Sequence, residues 1–135
     1  MTDKEEIKEY IESLGFETDK IKPVIDGKRT EFDIVVDSKK LAIEYCGLYW
    51  HSQQPSHGLD RGRNYHFQKF QAAESLGYRL LTIFEDEWTD RKSQIKAYIR
   101  SCLGIYERTF YARKLEIRKI DAKTAKRFYD TYHWQ

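Results

Sequence analysis

Residues 30–52 read TEFDIVVDSKKLAIEYCGLYWHS, and the fold turns on how this stretch is parsed. EFDIVV (31–36) and LAIEYC (41–46) are apolar or β-branched on nearly every residue, which predicts central strands covered on both faces. Asp37-Ser38 and two lysines separate them as a tight turn. Each run nevertheless keeps a carboxylate in its middle, Asp33 and Glu44, where burial carries a desolvation cost. If the strands pair antiparallel through the turn, both carboxylates reach one point.

Working outward, Ile7, Tyr10, Ile11 and Leu14 recur at helical spacing, with Asp3 as expected N-cap and Gly15 as stop. Lys20 to Val24 reads as a short strand, and Asp26-Gly27 is a hairpin turn signal. After the central strands, residues 47–64 form a long polar and aromatic connection, of the kind that usually carries function. A helix is expected from about Tyr65 to Leu76, closed by Gly77, and YRLLTIF (78–84) gives a fourth strand. Glu85-Asp86-Glu87 opens a further helix through Trp88, Ile95, Tyr98, Ile99 and Leu103, its acids matching the positive end of the helix dipole. The order α-β-β-β-α-β-α calls for an α/β fold, a mixed sheet with helices on both faces. Beyond Gly104, residues 111–120 alternate as an edge strand, and residues 121–132 form a capped basic helix with Ala122, Ala125 and Phe128 inward.

With 135 residues, 40% hydrophobic and 34% charged, the chain has enough apolar side chains for one packed core and is not a disordered composition. It has no apolar run near the roughly 18 residues of a membrane span, and MTDKEEIKEYIE is not a secretory signal; a cytoplasmic location and no membrane partner are expected. Two cysteines exclude a disulfide framework. Net charge is only +2, but residues 101–135 hold eight Lys or Arg against four Asp or Glu, a local positive potential suited to phosphate as well as to a solvated helix face.

Two carboxylates converging beside water suit Mg²⁺ or Mn²⁺, so Asp33 and Glu44 are the candidate metal ligands; the bland alternative is two exposed strand-end acids. Glu31 lies two residues before Asp33, on the same side of its strand. His51, just past the second strand, has the pKa range of a general base for water. His66 and Lys69 stand one helical turn apart, and a lysine facing such a centre can orient a nucleophile or steady a phosphorane's added charge.

EFDIVV, then LAIEYCGLYWHS, a downstream His66 and Lys69 on a helix, and GYRLLTIFEDEW (77–88) resemble the nuclease domain of phage and bacterial homing endonucleases related to the very-short-patch mismatch repair (Vsr-like) endonuclease, the E-D-x-H-D branch of the PD-(D/E)XK superfamily. The match covers roughly residues 4–103 and is most specific over 31–52 and 66–88. The resemblance implies a restriction-endonuclease-like fold, with a nuclease domain over residues 1–104 and a basic extension over 105–135 that begins a further domain. It implies an endonuclease of double-stranded DNA using Mg²⁺ or Mn²⁺, in a bacterial or phage-infected host cell. In that family's terms Asp33 and Glu44 hold the metal and His51 is the general base. His66 falls where the repair enzyme has an aspartate, and Lys69 is a lysine migrated to a helix, since Cys46 occupies its simpler position. The first-helix glutamate has no clean counterpart: spacing puts Lys4 there, and Glu6 is the acid carried forward as catalytic. Tyr49 and Trp50 match aromatics that wedge between base pairs, the alternative being that Trp50 plugs the core. Arg61, Arg63, Arg113 and Lys114 are the expected phosphate contacts. The repair enzyme's structural zinc is not expected, because Cys46, Cys102 and His57 lack ligand spacing.

Mismatch-directed nicking and a catalytically inactive DNA-binding module of the same fold are the competing expectations. Monomer and dimer are both compatible with the sequence.

Overall fold

In the computed structural model, residues 1–25, 27–47 and 58–134 are described. Contacts divide the chain into two compact units, Met1–Asp90 and Arg91–Gln135.

The first unit opens with α1 (Asp3–Ser13). Thr2, one residue before the expected Asp3, is its N-cap: the Thr2 hydroxyl accepts from the Glu5 amide and the Glu5 carboxylate accepts from the Thr2 amide. Ile7 and Ile11, one turn apart, are fully buried and define the inner stripe of the helix. After β1 (Asp19–Ile21), β2 (Val24–Ile25) and β3 (Lys28–Arg29) pair as the hairpin that the Asp-Gly signal predicted, with Gly27 at φ 74°. The two central strands follow: β4 (Phe32–Val36) and β5 (Leu41–Cys46), joined by a single 3₁₀ turn at Asp37–Lys39. Lys40 closes that turn in the left-handed region, at φ 50°.

Helix α2 (Gly58–Ser75) leads to β6 (Arg79–Phe84), and Gly77 at φ 81° turns the chain between them. Among the described residues the strands form a mixed four-stranded sheet in the order β1-β4-β5-β6. β1–β4 and β4–β5 are antiparallel, and β5–β6 is parallel. A parallel neighbour needs a crossover connection, which contains α2. Phe32, Val35 and Ala42 of the central strands pack with Ala72 and Ala73 of α2 in one cluster, the small alanines letting the helix approach the sheet. The mixed α/β architecture read from the sequence is therefore present.

Three boundaries differ from expectation. The strand expected over Lys20 to Val24 is interrupted, with β1 ending at Ile21 and β2 beginning at Val24, because Pro23 cannot donate to a ladder. α2 begins at Gly58 rather than near Tyr65, because Gly58 and Gly62 and the absence of an apolar stripe disguise its first turns. The helix expected across 85–103 is two helices, α3 (Glu85–Asp90) and α4 (Lys92–Cys102), broken at Arg91, whose φ is −129°. The acidic triple makes the first turn of α3, where Glu87 accepts from the Phe84 amide at 3.3 Å.

In the second unit, α4 buries Ile95 and Ile99, and Leu103 caps it. Residues 111–120 form no strand: a 3₁₀ turn at Ala112–Lys114 interrupts them, and Leu115, Ile117 and Ile120 are exposed. The alternation found no partner strand to make it a ladder. α5 (Ala122–Tyr132) is capped by Asp121, which accepts from the Thr124 amide at 2.7 Å. Contrary to the expected inward face, Phe128 and Ala122 are exposed. Its carboxyl end is held by Arg91, whose guanidinium donates to the carbonyls of Tyr129, Asp130 and His133. No helix among the described residues is long and apolar enough to cross a membrane.

Candidate functional site

The antiparallel register pairs Ile34 with Ile43, Val35 with Ala42 and Val36 with Leu41. Continued by one residue, the same register sets Asp33 across from Glu44 on one face of the sheet, since facing residues of a ladder share a side. Beyond the last ladder pair, Asp33 serves as a side-chain substitute for the ladder: its Oδ2 accepts from the Tyr45 amide at 3.0 Å. That bond fixes the carboxylate and leaves Oδ1 directed elsewhere.

A different helix brings a lysine to each acid. Lys69 of α2 donates to Glu44 Oε1 and, at 2.9 Å, to the carbonyl of Glu31. Lys69 and Glu44 are the buried charged residues in the described chain, at 6% and 7% exposure. Lys4, in the first turn of α1, donates to Asp33 Oδ1 at 2.7 Å. Its side chain is 43% exposed, against 9% for Asp33.

Burial pushes the Glu44 carboxyl above its ordinary range; the hydrogen bond from Lys69 opposes this, the Asp33 charge adds to it, and the charges of Lys69 and Lys4 oppose it. The Glu44 carboxylate is thus a buried base whose charge needs cations beside it. Its second oxygen, Oε2, is buried and has no hydrogen-bond partner among the described residues. Cys46, two residues on and on the same side of β5, has its thiol pushed up to about 11, chiefly by burial and then by the Glu44 charge. Burial thus keeps the Cys46 thiol protonated at neutral pH and makes it a poor nucleophile.

On the other side of β5, the Tyr45 hydroxyl donates to Asp3 Oδ2 at 2.6 Å, and burial together with Asp3 raises its pKa. Glu6, the acid expected from the first helix, accepts from the indole N–H of the buried Trp88 at 3.2 Å. The α1 side chain on Asp33 is Lys4 instead. A lysine within the acidic run DKEE reads in sequence as a solvated surface charge; only its proximity to Ile7, which fixes the inner stripe, signals its position. Glu31 lies one residue before β4 and is engaged by Lys20 at 2.5 Å and Lys22 at 3.5 Å, and Lys20 holds its carboxyl below the usual range.

His66 stands on α2 one turn before Lys69, with its ring edge-on to Phe84 at 5.8 Å between centroids. Tyr49, Trp50, His51 and His57 lie outside the described residues, as do the side chains of Arg61 and Arg63. Arg113 and Lys114 are exposed in the 3₁₀ turn of the second unit. No group of three or more His, Cys, Asp and Glu is assembled for a metal among the described residues.

In comparisons with known proteins, no protein-family model and no curated protein matches the chain. Among solved structures it is similar to the homing endonuclease I-Bth0305I catalytic domain, with 29% sequence identity and a TM-score of 0.54. The similarity covers 77% of this chain and 95% of that one.

Proposed function

We propose that this chain is a catalytic domain that hydrolyses phosphodiester bonds in double-stranded DNA, as a metal-dependent endonuclease of the homing type related to the Vsr-like branch. The observation that carries the reading is the pairing of Asp33 and Glu44 on one sheet face, with Lys69 against Glu44, in a chain similar to a homing endonuclease catalytic domain. The residues present fit a divalent cation: Glu44 Oε2 is an orphaned buried carboxylate oxygen, and Asp33 Oδ1 is held by a lysine that is half in water. Asp33 and Glu44 would hold Mg²⁺ or Mn²⁺, which when bound supplies Lewis-acid stabilisation of charge at a scissile phosphate.

Around that centre the chain's own side chains have distinct tasks. Lys69 holds Glu44 in place and brings positive charge to the phosphate side of the site, with His66 one turn away on the same helix. His51 takes the proton from the attacking water, being the imidazole that follows β5 most closely. Tyr49 and Trp50 insert at the DNA steps beside the cut. Arg61, Arg63, Arg113 and Lys114 bind backbone phosphates and add salt-sensitive affinity without sequence preference.

Supercoiled plasmid incubated with the protein and Mg²⁺ or Mn²⁺ is expected to be nicked or linearised, and EDTA to prevent it. Asp33→Ala is expected to abolish cleavage while the circular dichroism spectrum is retained. Binding without cleavage under all these conditions would support the inactive DNA-binding module, and preferential cutting of a T·G duplex would support mismatch repair.

A further inference from the structure

The pair formed by Lys4 and Asp33 is not explained by helix stability. Lys4 stands in the first turn of α1, among Asp3, Glu5 and Glu6, where the helix dipole favours the acids and disfavours a cation. It reaches instead across 29 positions of chain to the one Asp33 oxygen that the Tyr45 amide does not hold. Asp33 faces Glu44 in the continued register of the central strands, so an ammonium that neutralises Asp33 also lessens the repulsion between the two acids. Lys69 differs in being buried and tied at two acceptors, whereas the Lys4 side chain is 43% exposed and bound at one. Of these two lysines, Lys4 is the one that can swing into water without opening the core.

We infer that Lys4 is a resident counter-cation, which neutralises Asp33 when the site is metal-free and must leave Asp33 Oδ1 for a divalent ion to bind there. This rests on the metal-dependent reading above. It makes Lys4 a positioning residue: it keeps two facing carboxylates tolerable before a metal ion binds, and it lowers metal affinity by competing for the same oxygen.

Mn²⁺ titrations followed by electron paramagnetic resonance and by calorimetry test it, on the whole chain as wild type, Lys4→Met, Lys4→Gln, Asp33→Asn and the Lys4→Met/Asp33→Asn double variant. Lys4→Gln retains a donor for Asp33 without charge, which guards against misfolding of the methionine variant. The expected result is Mn²⁺ binding that requires Asp33 and becomes about fivefold tighter in both Lys4 variants, the upper range of what a half-exposed ion pair is worth. The Mn²⁺-induced rise in melting temperature is then larger in the Lys4 variants than in wild type. Asp33-dependent binding that is unchanged or weakened in the Lys4 variants overturns the competition while leaving the metal reading intact. Tightening that persists in the double variant overturns it also, by placing the effect elsewhere. Absence of Mn²⁺ binding in every chain overturns both.

Discussion

Three lysine–carboxylate pairs lie along the two central strands and the turn that joins them, and they differ chiefly in their distance from water. Lys69–Glu44 is enclosed, with both side chains under 10% exposed. Lys4–Asp33 is mixed, a buried acid met by a half-exposed lysine. Lys40–Asp37, in the 3₁₀ turn, is open, with both side chains about 60% exposed. The same two functional groups therefore do three things. The enclosed pair holds a charge that would otherwise be prohibitive in the core, the mixed pair can exchange its partner, and the open pair contributes a local turn contact.

Catalysis should separate the pairs most sharply. Asp33→Asn and Glu44→Gln are each expected to reduce plasmid cleavage by roughly 10³-fold, as loss of a carboxylate that would hold the metal beside the reacting phosphate does. Asp37→Asn is expected to leave the cleavage rate within about twofold of wild type, since an exposed turn carboxylate touches nothing in the site. Equal losses for Asp33→Asn and Asp37→Asn in quenched time courses would erase the distinction.

Stability should follow the same order with smaller amplitude. Lys69→Met strands a buried carboxylate and is expected to cost about 3–5 kcal/mol in urea denaturation. Adding Glu44→Leu should recover most of that loss, because an apolar pair of similar volume removes the desolvation problem along with the ion pair. Lys4→Met is expected to cost less than about 1 kcal/mol, since water can take over at a half-exposed site. A Lys4→Met loss as large as that of Lys69→Met would show that the two pairs are equivalent supports of the fold.

The gradient also explains which parts were legible in sequence. β4 and β5 were readable because a central strand is apolar on both faces, and Asp33 and Glu44 stood out against that background. Their facing register followed from a short turn that leaves little freedom. Lys69 was readable as a helical neighbour of His66, although nothing in the sequence ties it to Glu44 and the Glu31 carbonyl. Spacing to Ile7 pointed to Lys4, yet Glu6 was favoured because side-chain charge suggested an acid; packing of α1 turned Glu6 to the Trp88 indole and Lys4 to Asp33. The start of α2 was concealed by two glycines, and residues 111–120 imitated a strand because alternation records half of a ladder and is silent about the other half. Local pattern identifies what is buried by its own neighbours in sequence; contacts across tens of residues need the fold.

The open pair offers the smallest and most specific test. Asp37 Oδ1 accepts from the Tyr78 hydroxyl at 2.5 Å and from Lys40 at 3.0 Å, and its carboxyl is held below the usual range, first by the Tyr78 hydrogen bond and then by Lys40. A carboxyl whose folded value lies below its unfolded one contributes stability above the ordinary 3.8 that is lost as pH falls through the folded value. Tyr78→Phe should raise the Asp37 pKa, as followed by NMR of its side-chain carboxyl, and should flatten this acid limb of melting temperature against pH. Lys40→Met should move Asp37 in the same direction by a smaller amount, because salt and water screen an exposed charge more effectively than they displace a short hydrogen bond. If Lys40→Met produced the larger shift, the lysine charge rather than the short Tyr78 hydrogen bond would govern the open pair, and the screening by water that sets it apart from the enclosed pair would be refuted.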